Sequence, residues 1–291
     1  MDRTRALVES SLLVALSAML FLAGHFLPIV GMAFSLVCPA PLVVLGLRHS
    51  LGRAVLGVAV ATVITAAFTG AVGALFFCFG FGFLGIALGA LGRRFGRAVD
   101  IVLYGILVSI GSKLLLMVIA IKLTGINPFG LEEAEIMPVV ERIASLYSGL
   151  GMSEEALSLA KEQMRATLSL IPLIFPALLV MAATVDCFLS YIVSAAVLKR
   201  LGRETLPGLP EFSRWRFPKS IFWALIASLA LHLTGAYYPS MAFLQRTALN
   251  LRLLVTALFF FQGLAVGWSF MQARGLGRFL RVALTDRKSV V

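Results

Sequence analysis

The stretch DIVLYGILVSIGSKLLLMVIAIKLT, residues 100–124, holds one charge, Lys113, between Asp100 and Lys122. An apolar run of this length is what an α-helix needs to cross a hydrocarbon core about 30 Å thick. Similar runs recur along nearly the whole chain. Sixty per cent of the 291 residues are hydrophobic and 13% are charged, about half the charge fraction of an ordinary soluble domain. The fold class that follows is all-α, a polytopic membrane helix bundle. Eight helices can be placed, at about 8–29, 32–47, 52–69, 71–91, 101–124, 167–198, 219–237 and 250–272.

The charges between these runs alternate. The amino terminus has Arg3 and Arg5, the 2–3 connection Arg48 and Arg53, and the 4–5 connection Arg93, Arg94 and Arg97. The 6–7 connection has Lys199, Arg200, Arg203, Arg214, Arg216 and Lys219. The tail has Arg274, Arg278, Arg281, Arg287 and Lys288. The intervening connections are uncharged, acidic or carry a single Arg246. Lys and Arg collect on the cytoplasmic side of membrane proteins, so both termini are expected in the cytoplasm, with the chain multi-pass in the cytoplasmic (inner) membrane. Trp215, Trp223 and Trp268 fall near the inner interface and Tyr237 and Tyr238 near the outer one, as an aromatic belt requires. The net charge of +11 is explained by these loops, and nucleic-acid binding is not expected. The apolar stretch from Leu12 to Val30 is longer than a signal-peptide core and reads as a retained first helix.

Residues 1–291 read as a single integral membrane domain with two appendages. The tail, 273–291, is basic and cytoplasmic. The 5–6 connection, 125–166, holds half of the acidic residues, seven of fourteen, and reads as an extracytoplasmic helical hairpin. Leu131, Ile136, Val140, Ile143 and Tyr147 form an approximate apolar stripe in its first helix. Ser153 can cap the second, with Glu154 and Glu155 in a first turn where the helix dipole favours them. Leu157, Ala160 and Met164 share a face. Such a hairpin either rests on the bundle or covers an outward-facing cavity.

Few residues inside the runs could carry chemistry. Lys113 lies thirteen residues after Asp100, and Asp186 thirteen residues before Lys199. At 1.5 Å per residue both are roughly 20 Å deep. A charge near the bilayer midplane must face the bundle interior and find a partner. Two readings fit: a mutual ion pair that holds helices together, or a site for a solute or ion. His25, Lys122, Asn250 and Arg252 lie toward the outer half, and Arg252 can either snorkel to the interface or bind an anionic group. His232 and Gln262 lie deeper. Gly85 and Gly89 make a small-xxx-small pair for close helix packing, and Ser11 and Ala15 repeat that spacing in helix 1. Pro39 and Pro41 are expected to break the second helix, and Pro172 and Pro176 the sixth. Cys38, Cys78 and Cys187 sit inside apolar runs and read as small apolar residues. No metal site is expected of three scattered histidines. GFGFLG at 80–85 lies inside a membrane helix and is no nucleotide loop. Without a nucleophile–base arrangement, Walker A loop or HExxH motif, the chain reads as non-enzymatic. No catalytic residue and no cofactor are assigned.

Three stretches carry a family resemblance: CPAPLVVLGLRHSLGRAVLGV (38–58), FSRWRFPKSIFWAL (212–225) and NLRLLVTALFFFQGLAVGWSF (250–270). Together they resemble the YybS-type bacterial membrane family, over most of the chain outside the acidic loop; that family brings no established activity. The first six helices also resemble the substrate-binding subunits, or S components, of energy-coupling-factor transporters. That resemblance implies binding of a small solute from outside. It also implies docking through small residues of helix 1, here Ser11, Ala15 and Ala18, to a partner that contains ATPases. The chain departs from them in two additional helices and the long acidic connection. The expected function is a membrane substrate-binding or transport subunit for a small polar solute. Candidate substrate-binding residues are Lys113, Asp186, Arg252, Asn250, Gln262 and His25. The alternative is a non-transporting scaffold or envelope-assembly factor. Besides the lipid bilayer, the implied partner is an ATPase and transmembrane coupling module in the first case and envelope-assembly proteins in the second.

Overall fold

The structure is a computed structural model and describes residues 3–27, 30–125, 133–149, 151–202, 206–238 and 242–273. The basic tail from Arg274 onward, Arg203, Pro28 and Glu132 lie outside the described residues. Ten α-helices are present among them: α1 (Arg3–Phe26), α2 (Gly31–Val37), α3 (Pro39–Arg48), α4 (Leu51–Phe76), α5 (Phe83–Arg94), α6 (Ala98–Thr124), α7 (Glu133–Gly149), α8 (Glu154–Leu201), α9 (Ser220–Tyr237) and α10 (Ala242–Ala273). A π-helical stretch, Phe77–Gly82, joins α4 to α5, and Phe212–Arg214 makes one 3-10 turn. The described residues form no strand. The fold is therefore the all-α membrane bundle expected from the apolar runs. Among the described residues six helical spans are long and apolar enough to cross a bilayer: Thr4–Phe26, Gly31–Arg48, Leu51–Arg94, Ala98–Leu123, Glu154–Leu201 and Phe243–Ala273. Ser220–Gly235 is a shorter apolar helix.

The 44-residue span Leu51–Arg94 is folded in two. Gly70 has φ 72° and ψ −177°, a conformation open to glycine and closed to side chains with a Cβ. Gly82 packs against Val58, each twelve residues from Gly70. Cys78 lies near Thr62, each eight residues from Gly70. The two arms therefore run back along each other as a helical hairpin. They coincide with the helices expected at 52–69 and 71–91.

The chain forms two compact units, Met1–Asn127 with Leu179–Leu209, and Pro128–Leu178 with Pro210–Val291. In the first unit α1 buries Val14, Ser17, Ala18 and Phe21, the i, i+3, i+4, i+7 face of one helix. They pack on Leu42, Leu45, Ala54, Val58 and Phe77. Ser11 and Ala15, which with Ala18 make the expected small-residue stripe, are exposed. Of that stripe, Ala18 packs within the chain and Ser11 and Ala15 do not. Small size alone does not say which way a helix is rotated.

The α3–α5 contact is backbone against backbone. A Cβ at Gly85 would stand 2.7 Å from Leu42 Cβ and 3.2 Å from Pro39 O. One at Gly89 would meet Val43 O and stand 2.6 Å from Leu47 N. Gly46 faces Ile86 O in the same way. Glycine here removes the atoms that would otherwise hold the helices apart.

Two expectations about the later helices fail. Pro172 and Pro176 lie inside α8 without breaking it. The second helix of the acidic hairpin is also not separate from the sixth membrane helix, since both belong to α8. Its 48 residues span about 72 Å, more than twice a bilayer core. Ser153 does cap it: Oγ accepts from Ala156 N–H at 3.4 Å. In α7, Ile136, Val140 and Ala144 are buried, one turn apart, while Tyr147 is exposed and Leu131 lies outside the described residues.

The glycine contacts generate a stability test. Gly89→Ala should cost roughly 1–3 kcal/mol through overpacking, read as a lower unfolding midpoint in detergent. Gly111→Ala, whose Cβ meets nothing within 4 Å, should leave the midpoint unchanged or raise it. Equal effects at the two positions would contradict the backbone contact.

Candidate functional site

Lys113 and Asp186 meet. Lys113 Nζ donates to Asp186 Oδ2 at 2.6 Å and to Ser109 Oγ at 2.9 Å. The helices carrying them are brought together lower down. Gly105 on α6 lies against Leu88 and Cys187, and Cys187 Sγ reaches Val102 O at 3.6 Å. Gly105, Ser109 and Ser112 recur at i, i+4, i+7, so they share a face of α6. Ser109 and Ser112 are buried. Ser112 Oγ donates to Phe79 O at 2.5 Å, satisfying a carbonyl in the π-helical stretch. Lys113 is the next residue round the helix from Ser112. Its side chain folds back one turn, about 6 Å, to the level of Ser109, and it is there that it finds Asp186. The matched depths were a sound reason to expect the contact. The meeting level, however, is set by the lysine's reach and not by the two Cα heights.

The pair is neutral as a unit. A lone charge at this depth costs about 2.5–3.5 kcal/mol on insertion scales, and each residue removes that cost for the other. It is not sealed: side-chain exposure is 21% at Lys113 and 28% at Asp186. An ammonium has three donors and a carboxylate two acceptor oxygens. Ser109 and Asp186 use two of the donors, and Lys113 uses Oδ2. The third N–H and Oδ1 have no hydrogen-bond partner among the described residues, so the pair keeps capacity for a polar third party.

The other candidates go elsewhere. Asn250 and Gln262 belong to the second unit and are committed to its backbone. Asn250 Nδ2 donates to Leu173 O at 2.7 Å and to Arg246 O at 2.8 Å, and its Oδ1 accepts from Ala177 N–H at 2.8 Å. Leu173 and Ala177 are the two ends of one i→i−4 rung of α8, just past Pro176. The amide is inserted across that rung, where a proline ring pushes helical carbonyls apart. Gln262 clasps the extended segment before α9: Oε1 accepts from Phe217 N–H at 2.8 Å and Nε2 donates to Trp215 O at 3.2 Å. Arg252 is exposed, and two residues on from Asn250 places it about 200° round α10. His25 is exposed at the end of α1, with its ring against Phe21 and Phe26. Lys122 and His232 are exposed.

Sequence reasoning missed two polar groupings. Ser109 could have been found, since it stands one turn before Lys113. The second joins three chain segments. Glu9 on α1 pairs with Arg48, its Oε2 lies 3.8 Å from His49 Nε2, and Arg93 Nη1 donates to His49 O at 2.9 Å. No spacing rule links residues 9, 49 and 93.

The resemblance to the YybS-type family holds. A family model described as "Predicted membrane protein (DUF2232)" matches residues 15–285, and the chain belongs to that family. It is 28% identical over 272 residues to "Uncharacterized protein YybS" of Bacillus subtilis (strain 168), covering 91% of this chain and 84% of that protein. No solved structure matches.

The Asn250 geometry separates a structural from a surface role. Asn250→Leu should lower stability by about 2 kcal/mol, the cost of leaving buried polar groups unpaired. Pro176→Ala in the same background should recover part of it by letting the helix close normally. Arg252→Gln should stay within about 0.5 kcal/mol of the parent. Thermal unfolding of the purified protein reads all three.

Proposed function

We propose that this member of the DUF2232 membrane protein family is a non-enzymatic subunit that binds a small polar solute within the membrane and serves its transport. The observation that carries this reading is the Lys113–Asp186–Ser109 cluster. It lies mid-span, offers both charges, and retains one donor and one acceptor oxygen toward its open side. A zwitterionic or otherwise polar solute matches that pair: an anionic group toward Lys113 and a cationic or hydroxyl group toward Asp186. Arg252, exposed on α10, is a further cation that can attract an anionic solute. Asn250 and Gln262 shape the second unit and do not touch the solute.

The same reading sets the chain in the cytoplasmic membrane with eight passes and both termini inside. Alternating basic connections and the Gly70 hairpin support it. In this reading the acidic connection lies outside. Energy comes from an ATPase-containing partner, as the likeness to S components implies, or from an ion gradient. The exposed Ser11 and Ala15 of α1 are available to such a partner.

A scaffold or envelope-assembly role is the second reading. It is favoured by a specific observation: Asn250 and Gln262, two of the polar candidates, serve only to hold backbone. In a scaffold the Lys113–Asp186 pair does the same.

Native mass spectrometry of gently purified full-length protein separates the two. The transport reading expects a small bound solute that Asp186→Asn and Lys113→Met each release, with the protein still folded by size-exclusion chromatography. A protein that carries no small adduct, and co-purifies only with envelope-assembly partners, contradicts it.

A further inference from the structure

The second unit contains a groove of about 420 Å³ beside the start of α9, walled by the segment 216–222 and by α10. Its composition is split. Arg216 and Lys219 stand on one side, exposed, and no carboxylate pairs with either among the described residues. Apart from Gln262 the rest is apolar, with Phe222, Leu258, Phe259 and Val266 prominent.

The register of α9 and α10 orders these parts by depth. Gln245 Nε2 donates to Gly235 O at 2.9 Å, and Gln245 packs on that glycine. The helices run antiparallel, so thirteen residues along each from this pair Phe222 comes level with Leu258. Gln262, which grips Phe217 N–H, is one turn, about 6 Å, further toward the α9 start. The cations thus stand at the mouth of the apolar helix pair, and Phe222, Leu258 and Phe259 lie deeper. Gln262 holds the cation-bearing segment in place, and Lys219 is the N-cap of α9, whose dipole is positive at that end. Trp223, 69% exposed on the first turn of α9, marks the level of the membrane–water interface.

We infer that this groove binds an anionic phospholipid, its phosphate held by Arg216 and Lys219 and the first part of an acyl chain lying on Phe222, Leu258 and Phe259. A soluble anion would use the cations and leave the apolar wall wet. A neutral lipid would use the wall and leave two cations uncompensated. A phospholipid with net negative charge satisfies both, and the membrane supplies it at the required depth. Basic residues at the membrane surface attract such lipids.

Full-length protein reconstituted with equal phosphatidylglycerol and phosphatidylcholine, then released into mild detergent for native mass spectrometry, tests this. The parent should retain phosphatidylglycerol in preference to phosphatidylcholine. Arg216→Gln with Lys219→Gln should weaken that retention roughly thirtyfold, two surface cations' worth of attraction. Leu258→Trp, which fills the wall, should weaken retention with both cations present. Lys199→Gln with Arg200→Gln, equal charge removed elsewhere, should change nothing. The proposal fails if both double variants lose lipid alike, if the parent does not discriminate the two lipids, or if inorganic phosphate alone displaces the lipid.

Discussion

Inside a hydrocarbon core no water completes an unmade hydrogen bond, so every polar group must find its partner within the protein. That constraint accounts for several of the polar contacts described here. Lys113 and Asp186 cancel each other, with Ser109 supporting the ammonium. Ser17 Oγ donates to Cys38 O at 3.0 Å, where Pro39 and Pro41 interrupt the hydrogen bonding between α2 and α3. Ser112 answers Phe79 O in the π-helical stretch. Asn250 bridges a rung of α8 beside Pro176, and Tyr191 OH donates to Pro207 O at 2.5 Å. The helices pack through apolar side chains and glycines, and these single polar contacts serve the carbonyls at their irregular points.

The same logic separates structural from functional candidates. A side chain whose hydrogen-bonding capacity is used up by its own unit has little left for a ligand. Asn250, with both amide N–H bonds and its carbonyl oxygen engaged, is in that state. Lys113 and Asp186 are not, because one N–H and one carboxylate oxygen remain uncommitted on the pair's open side. Arg216 and Lys219 are the complementary case at the membrane surface, where water or a lipid headgroup can serve a charge. The first pair underlies the proposed solute site, and the second the lipid groove.

Much of the fold was legible because bilayer thickness sets helix length. The runs at 8–29, 101–124 and 250–272 correspond to α1, α6 and α10, and the break between 69 and 71 falls on the glycine that folds the hairpin. What could not be read was rotation and long-range rescue. Ser11, Ala15 and Ala18 have the spacing of a packing face, but only Ala18 is turned inward, beside Val14 and Phe21. Pro172 and Pro176 looked like helix breaks because the residue that mends the rung, Asn250, is more than seventy positions away. Ser153 was readable as a cap because capping is local. Yet the helix it starts does not stop at the membrane, so the hairpin's second helix and the sixth span are one. The Lys113–Asp186 contact was accessible by counting depth, while its actual level depends on a rotamer that counting cannot supply.

The account depends most on the ion pair being a mutual, mid-membrane neutralisation. Exchanging the charges, Lys113→Asp with Asp186→Lys, tests it directly, with each reversal also made alone. Either single reversal places two like charges together, and the yield of folded, monodisperse protein should collapse. The exchanged double variant should recover most of the parent's yield and unfolding midpoint. A double variant as poor as its worse single, or single variants as stable as the parent, would show that these two residues do not depend on each other.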